Sequence, residues 1–138
     1  MKINARNKGQ RGEREIIDIL QPIVDKAYSE KGIPPPELTR NLIQSYSGGD
    51  DIEGLPWLSI EVKRRETLNV DTWWEQTIKQ SAKRKGSQPA LLYRANHQKW
   101  RARLLVPIAE NPHVVEVSLA TFLEWFSYQL SEYLDSYL

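Results

Sequence analysis

Three charged side chains in the middle of the chain have the types and spacing of a metal-ion site. Asp51 follows a glycine-rich stretch, and ten residues later Glu61 and Lys63 alternate with apolar residues in Ile60-Glu61-Val62-Lys63. On an extended strand Glu61 and Lys63 point the same way, about 7 Å apart, and an antiparallel neighbour can bring Asp51 beside Glu61. Adjacent carboxylates repel unless a cation lies between them, and Mg²⁺ suits oxygen ligands. Lys63 would then orient an attacking water or neutralise the transition state at a scissile phosphate.

The same residues also allow a structural interpretation, in which the outer face of a sheet is solvated and carries a simple Glu–Lys pair.

The amino-acid composition limits which kinds of metal and catalytic chemistry are open to the chain. The chain has no cysteine and only two histidines, His97 and His113. Disulfides, thiol catalysis and cysteine-ligated zinc are therefore excluded, and little room is left for histidine metal chemistry. An all-oxygen metal site is the metal chemistry that remains.

The distribution of charge divides the chain into two parts. The length of 138 residues fits one domain with a proper core. The formal net charge of the whole chain is +1. Residues 1–103 contain all 19 Lys and Arg with 13 acids, a net charge of +6, whereas residues 104–138 contain 5 acids and no Lys or Arg. The basic body indicates a polyanionic partner, with solvated surface charge as the alternative.

The hydropathy pattern predicts a soluble, cytoplasmic protein. No apolar run approaches the roughly 20 residues that cross a bilayer, and the basic start of the chain lacks the apolar region of a secretory signal.

The elements that must position the charged residues follow from periodicity and turn residues. Apolar residues at helical spacing predict a helix over about 12–31, with Pro22 as a possible kink or break. The prolines at 34–36 form a connector. Extended segments are predicted at 42–46, 50–53 and 57–64, with turns at 47–49 and 54–56.

The second half of the chain is predicted in the same way. A helix capped by Asp71 or Thr72 runs to about Lys85 and ends at Gly86. Strands at 89–94 and 99–106 form a hairpin, 114–117 adds a short edge strand, and a strongly amphipathic helix covers 119–138. The order predicts a mixed α/β fold.

Three segments in this order resemble the PD-(D/E)XK nuclease superfamily, and more narrowly the Hjc-type Holliday junction resolvases of archaea and their phage counterparts. They are Lys8-Gly9-Gln10-Arg11-Gly12-Glu13-Arg14-Glu15, Ser45-Tyr46-Ser47-Gly48-Gly49-Asp50-Asp51-Ile52 and Ile60-Glu61-Val62-Lys63. A weaker match is Trp73-Trp74-Glu75-Gln76, where many relatives place a glutamine on the following helix. The resemblance covers about residues 8–106.

The resemblance implies a restriction-endonuclease-like core, a central mixed β-sheet flanked by helices, extended here by the amphipathic C-terminal helix. The corresponding organisation is a flexible basic arm at 1–10, a nuclease core at 11–106 and a strand and helix extension at 107–138. It implies metal ligation by the carboxylates of Glu13, Asp51 and Glu61 and the carbonyl of Val62, catalysis assisted by Lys63, and a catalytic-site role for Gln76. Asp50 stands where the usual motif has proline, so either Asp50 or Asp51 could be the main ligand; Asp51-Ile52 matches the family's step from aspartate to a hydrophobic residue.

The activity implied is Mg²⁺-dependent cleavage of paired strands in four-way DNA junctions by a homodimer, with Mn²⁺ as a substitute ion. Alternatives are a flap or restriction-type endonuclease and a non-catalytic DNA-binding module with the same fold. Candidate phosphate contacts cluster around the proposed site: Arg6, Lys8, Arg11, Arg14, Ser47, Arg64, Arg65, Lys79 and Lys83, with Arg84 and Lys85 beside them.

Other residues have two interpretations each. Trp73 and Trp74 either stack on DNA or belong to the core. Glu15, on another side of the helix from Glu13, is expected to be a salt-bridge or solvent-facing residue. The C-terminal helix either covers the sheet or forms a dimer interface suited to the two-fold symmetry of a junction.

Overall fold

The computed structural model describes residues 5–41 and 51–137, with side chains from residue 10 onward. Helix α1 (Ala5–Glu30) comes first, followed by the two short strands β1 (Thr39–Arg40) and β2 (Ile52–Glu53). The remaining elements are β3 (Leu58–Arg65), α2 (Val70–Ala82), β4 (Gln88–Ala95), β5 (Arg101–Ile108), β6 (Asn111–Ser118) and α3 (Leu119–Tyr137). The strand predicted at 42–46, the turn with Ser47, and Asp50 lie outside the described residues.

The main sheet has four strands in the order β3-β4-β5-β6. Strands β3 and β4 are parallel, and α2 makes the crossover that a parallel pair requires. The other two pairs are antiparallel, as expected for strands joined by short turns. Strands β1 and β2 form a separate antiparallel pair. A mixed sheet flanked by helices and followed by a C-terminal helix confirms the predicted fold class.

The larger core lies on the face of the sheet that α1 and α3 cover. Leu58, Ile60 and Val62 of β3 point to this face and pack with the buried stripe of α1. Helix α3 inserts a full stripe into the same core: Phe122, Phe126, Leu130 and Leu134. The period of the apolar residues in 119–138 thus predicted both the helix and its buried side, and the interpretation as a helix covering the sheet is confirmed.

A smaller core lies on the opposite face, beneath α2. Trp73 and Trp74 are both buried there against Leu91 and Tyr93 of β4. Both tryptophans therefore belong to the core.

The observed boundaries differ from the predicted ones where the sequence is polar. Helix α1 begins at Ala5, so the predicted basic arm is helical from that residue onward, and the helix continues through Pro22 without a break. Helix α2 begins at Val70 after Asn69, not at Asp71 or Thr72, and ends at Ala82, before the predicted end at Lys85. Strand β6 is eight residues long rather than four, because its pairing with β5 continues along exposed residues that carry no apolar alternation.

Candidate functional site

Asp51 forms two hydrogen bonds with the outer edge of β3. The backbone N–H of Asp51 donates to the carbonyl of Ile60 at 2.9 Å, and its carboxylate Oδ2 accepts the backbone N–H of Val62 at 2.6 Å. Asp51 is only 4% exposed. The adjacent strand β2 pairs with β1, and the carbonyl of Asp51 accepts from Asn41 at 3.1 Å. The residues around Asp51 thus fix its carboxylate beside the middle of β3.

Glu61 and Lys63 occupy the face of β3 that is covered by α2. Glu61 is 7% exposed, and its Oε2 lies 3.7 Å from Nζ of Lys63. Strand alternation places Ser59 on the same face, and Ser59 is buried too. The interpretation of this face as solvated is wrong, because α2 covers it. A buried carboxylate is costly unless it is paired or coordinated, so this position is a strong candidate for a chemical role.

Glu13 reaches the same region from α1. Its Oε2 accepts a hydrogen bond from Nε of Arg40 at 3.2 Å. Burial raises the pKa of Glu13, and the negative charge of Asp51 raises it further, while Arg40 and Lys63 oppose that shift. Electrostatic coupling of Glu13 to Asp51 and Lys63 shows that α1 and the β3 edge bring these groups into one neighbourhood.

Gly12 allows α1 to approach β3 this closely. A Cβ atom at residue 12 would lie 3.1 Å from Cβ of Arg64 and 3.4 Å from Val62 and Trp100 side-chain atoms. The contact with Arg64 is tighter than most Cβ contacts, so a larger residue would require Arg64 or the adjoining part of α1 to shift by a few tenths of an ångström. Glu13 follows directly, and its position depends on that close approach.

The donor set fits a hard divalent cation in its chemistry. Asp51, Glu61 and Glu13 are carboxylates, and their shared negative charge is met in this structure by Arg40 and Lys63. Within residues 10–41 and 51–137, no three His, Cys, Asp or Glu side chains stand close enough together to form a complete metal cluster.

The other predicted site residues are less closely associated with this edge. Gln76 is exposed on α2. Arg11 and Arg14 on α1, and Lys79 and Lys83 at and beyond the end of α2, are also exposed. Arg65 is half-buried and donates to the carbonyl of Arg64. The side chains of Arg6 and Lys8, like Ser47, lie outside what the structure describes.

Two of the predicted residues have structural partners. Arg84 donates to the carbonyl of Leu58 at 2.7 Å and anchors the end of α2 to the start of β3. Glu15 accepts hydrogen bonds from Arg64, from Arg94 at 3.3 Å and from the indole of Trp100 at 2.9 Å. The expectation that Glu15 is a salt-bridge residue is therefore confirmed.

Sequence reasoning missed several residues near the site. Arg40, the partner of Glu13, belongs to a two-residue strand that no periodicity indicates. Tyr93 is paired in register with Lys63, and its hydroxyl donates to Glu116 at 2.7 Å. Arg103 bonds the same Glu116 carboxylate at 2.8 Å and Asp71 at 2.9 Å, which ties α2 to strands β5 and β6. For Tyr93 and Arg103, the only signal in the sequence is that each lies in a predicted strand.

No helix in the part of the chain that the structure describes is both long and apolar enough to span a membrane.

The mixed sheet with its flanking helices is consistent with the α/β core of a PD-(D/E)XK nuclease. The chain belongs to the family described as "Phage putative PDDEXK endonuclease", whose model matches residues 4–133. No curated protein and no solved structure matches the chain. The superfamily inferred from the three sequence segments is thus confirmed, and the match includes most of the C-terminal helix.

Proposed function

We propose that this protein is a Mg²⁺-dependent DNA endonuclease that cuts branched DNA, with the four-way junction as its substrate. The observation that carries the catalytic part of the proposal is a pair of buried carboxylates at the edge of β3: Asp51, which accepts the N–H of Val62, and Glu61, whose carboxylate lies 3.7 Å from Lys63. Placing buried acids and a lysine together serves phosphodiester hydrolysis better than it serves stability.

In this proposal Glu13, Asp51 and Glu61 hold the metal ion together with the carbonyl of Val62. When bound, the ion activates water and stabilises negative charge on the phosphate. Asp51 is kept in place by the N–H of Val62, which fixes the direction of its carboxylate. Lys63 supplies a positive charge 3.7 Å from the carboxylate of Glu61, where it would stabilise the charge that develops in the transition state.

Arg40 has a supporting role in the same proposal. Its bond to Glu13 offsets part of the negative charge that Glu13 brings near Asp51. Arg40 would also place beside the site a guanidinium group, which binds phosphate well.

The choice of a four-way junction is supported by the Hjc-like order of the three sequence segments. A flap or restriction-type endonuclease is the second candidate, since the edge of β3 would serve these substrates equally. The family description supports action on DNA in a phage-infected cell, and we place that action in the host cytoplasm.

A homodimer is proposed because a junction has near two-fold symmetry and requires paired cuts. The apolar side of α3 is buried in its own chain, so the interface would involve other surfaces. Light scattering of the purified protein tests this point, and a monomer at micromolar concentration would contradict it.

The activity is tested by incubating the protein with four-way junction, flap and linear duplex DNA, each with Mg²⁺, with Mn²⁺ and with EDTA. We expect cleavage of the junction with Mg²⁺ and none with EDTA. Preferential cutting of flap or duplex would favour the second candidate. DNA binding without cutting under any ion would instead indicate a non-catalytic binding module.

Asp51→Asn is the matched variant for this test. An asparagine oxygen can still accept the N–H of Val62, so the edge of β3 is kept while one charged ligand is lost. We expect normal DNA binding and loss of cutting. Cleavage at the parent rate would remove Asp51 from the proposed site.

A further inference from the structure

The other face of the sheet carries a second group of charged residues, on the side covered by α1. Arg64 and Arg94 are register partners at the carboxyl ends of the parallel strands β3 and β4. Both side chains point to the α1 face, as do Val62 and Leu92, which lie two residues earlier in each strand. Neighbouring strands lie about 4.8 Å apart, so two guanidinium groups are held side by side.

Glu15 and Trp100 hold this pair in place. The carboxylate of Glu15 bonds both guanidinium groups and the indole N–H of Trp100. The guanidinium carbon of Arg94 also lies 5.7 Å from the centre of the Trp100 ring, in a cation–π contact. Trp100 is buried, whereas the side chains of Arg64 and Arg94 are about one fifth exposed. The two arginines thus reach solvent with only a small part of their side chains, and Glu15 and Trp100 hold them in place.

The acceptors in this cluster are fewer than its donors. One carboxylate serves two arginines, which leaves a net charge of +1 and most of the ten guanidinium N–H groups without an acceptor among the residues that the structure describes. The Nε atoms of both arginines are buried and have no hydrogen-bond partner among the described residues. Such an arrangement is expensive as a purely structural salt bridge, since one acid does not balance two partly buried cations.

The surroundings favour an anionic ligand. Arg11 and Arg14 are exposed on α1 close in sequence to Glu15, and Arg65 follows Arg64 at the end of β3. Lys63 is the residue before Arg64 but points to the opposite face, toward the proposed catalytic edge. Basic groups therefore continue from the catalytic edge around the end of β3 to the α1 face.

We infer that Arg64 and Arg94 form a phosphate-binding pair that holds the DNA backbone beyond the scissile phosphate, with Glu15 and Trp100 as positioning residues. Guanidinium groups bind phosphate with two parallel hydrogen bonds, and the spare donors of this pair suit the oxygens of a phosphodiester. The inference rests on the proposed function, since it assumes that DNA is the ligand. It extends the DNA path to the face of the sheet opposite the catalytic lysine.

The test compares Arg94→Gln with Lys26→Gln, which removes the same charge from an exposed position near the other end of α1. Binding to a labelled duplex and a labelled junction is measured by fluorescence anisotropy in EDTA at several salt concentrations. We expect Arg94→Gln to weaken binding about tenfold. The slope of log affinity against log salt should fall by about one. Arg94→Lys should retain the slope, because it retains the charge.

A cleavage assay separates this role from catalysis. With Mg²⁺, Arg94→Gln should raise the DNA concentration at half-maximal rate and leave the maximal rate nearly unchanged. If Arg94→Gln and Lys26→Gln bind DNA equally well, with equal salt slopes, the phosphate pair is refuted even though the nuclease proposal stands.

Removing Arg94 leaves Glu15 partly unpaired, so folding is checked by circular dichroism. If Arg94→Gln does not fold, the pair Glu15→Gln and Glu15→Gln/Arg94→Gln is compared instead, and the double variant should bind about tenfold more weakly than the single one. Equal binding of these two refutes the pair. A parent protein that binds DNA without cutting it refutes the nuclease activity alone. A parent that does not bind DNA refutes both.

Discussion

The two faces of β3 differ in composition but not in burial. On the α1 face, Leu58, Ile60 and Val62 are buried in a continuous apolar core. On the α2 face, Ser59 and Glu61 are buried almost as completely, although both are polar. Close packing is enough to stabilise the apolar face, whereas buried groups on the polar face need hydrogen bonds or charge partners. Equal burial with opposite polarity indicates that the first face stabilises the fold and the second serves chemistry.

The sharpest test of this difference is Glu61→Gln. The variant keeps the size of the side chain and removes its charge, so we expect the cleavage rate to fall by about 10³-fold while DNA binding persists. Rates are measured on the junction substrate with Mg²⁺. Glu53→Gln, at an exposed position of β2, is the control and should cleave normally. A Glu61→Gln protein that cuts at the parent rate would remove the distinction between the faces.

Ile60→Ala tests the opposite face of the same strand. Ile60 is fully buried, so the substitution should lower the free energy of unfolding by about 2–5 kcal/mol. The midpoint of urea denaturation measures this loss. Cleavage per folded molecule should remain close to that of the parent. A large loss of activity without a loss of stability would show that the α1 face of β3 also takes part in the chemistry.

Tyr93→Phe examines the polar network next to Lys63. The hydroxyl of Tyr93 is the main group that lowers the pKa of Glu116, with Arg103 contributing as well. Because Glu116 is partly exposed, we expect a loss of about 1 kcal/mol at neutral pH.

The effect of Tyr93→Phe has a defined pH dependence. A lowered pKa gives stability that is present above the unfolded value of 4.5 and is lost as pH falls through the lower folded value. The difference between parent and variant should therefore shrink in acid, as followed by thermal unfolding from pH 7 down to pH values below 4.5. Tyr128→Phe, on the exposed side of α3, should show no such trend. A gap that widens below the unfolded value would rule out the Glu116 linkage.

The smallest effect is expected from Lys79→Gln. Lys79 is exposed on α2, on the same side of the sheet as Glu61. As a single phosphate contact it should weaken DNA binding less than tenfold and reduce the salt slope by about one, without altering preference among DNA structures. Lys79→Arg should behave as the parent. An unchanged slope would place the DNA path away from α2.

Elements with a strong apolar period were predictable from the sequence. The pattern from Leu119 onward predicted α3 and its buried side, and the alternation in Leu58 to Lys63 predicted β3 and the shared face of Glu61 and Lys63. Both predictions depend only on local repeats, which report which side of an element meets the core.

Contacts between residues far apart in the chain could not be predicted in this way. Arg40 meets Glu13 across 27 positions, and Arg94 meets Glu15 across 79. Neither arginine differs from an ordinary surface residue in its local sequence. Whether Glu61 is buried or solvated stayed open for the same reason, since its burial depends on α2 crossing over β3. The family resemblance indicated which carboxylates to examine but not which cations accompany them.

The two hydrogen bonds between Asp51 and β3 have a consequence for aggregation. An outer strand presents unpaired backbone groups that can recruit a strand from another molecule, and proteins protect such edges with charges or short covering segments. Asp51 does both, because its backbone and carboxylate occupy the Ile60 carbonyl and the Val62 amide. The aspartate proposed for metal binding thus also blocks edge-to-edge association at this point. A change that breaks these two hydrogen bonds would expose the charged site and, beside it, a strand edge that can pair with another molecule.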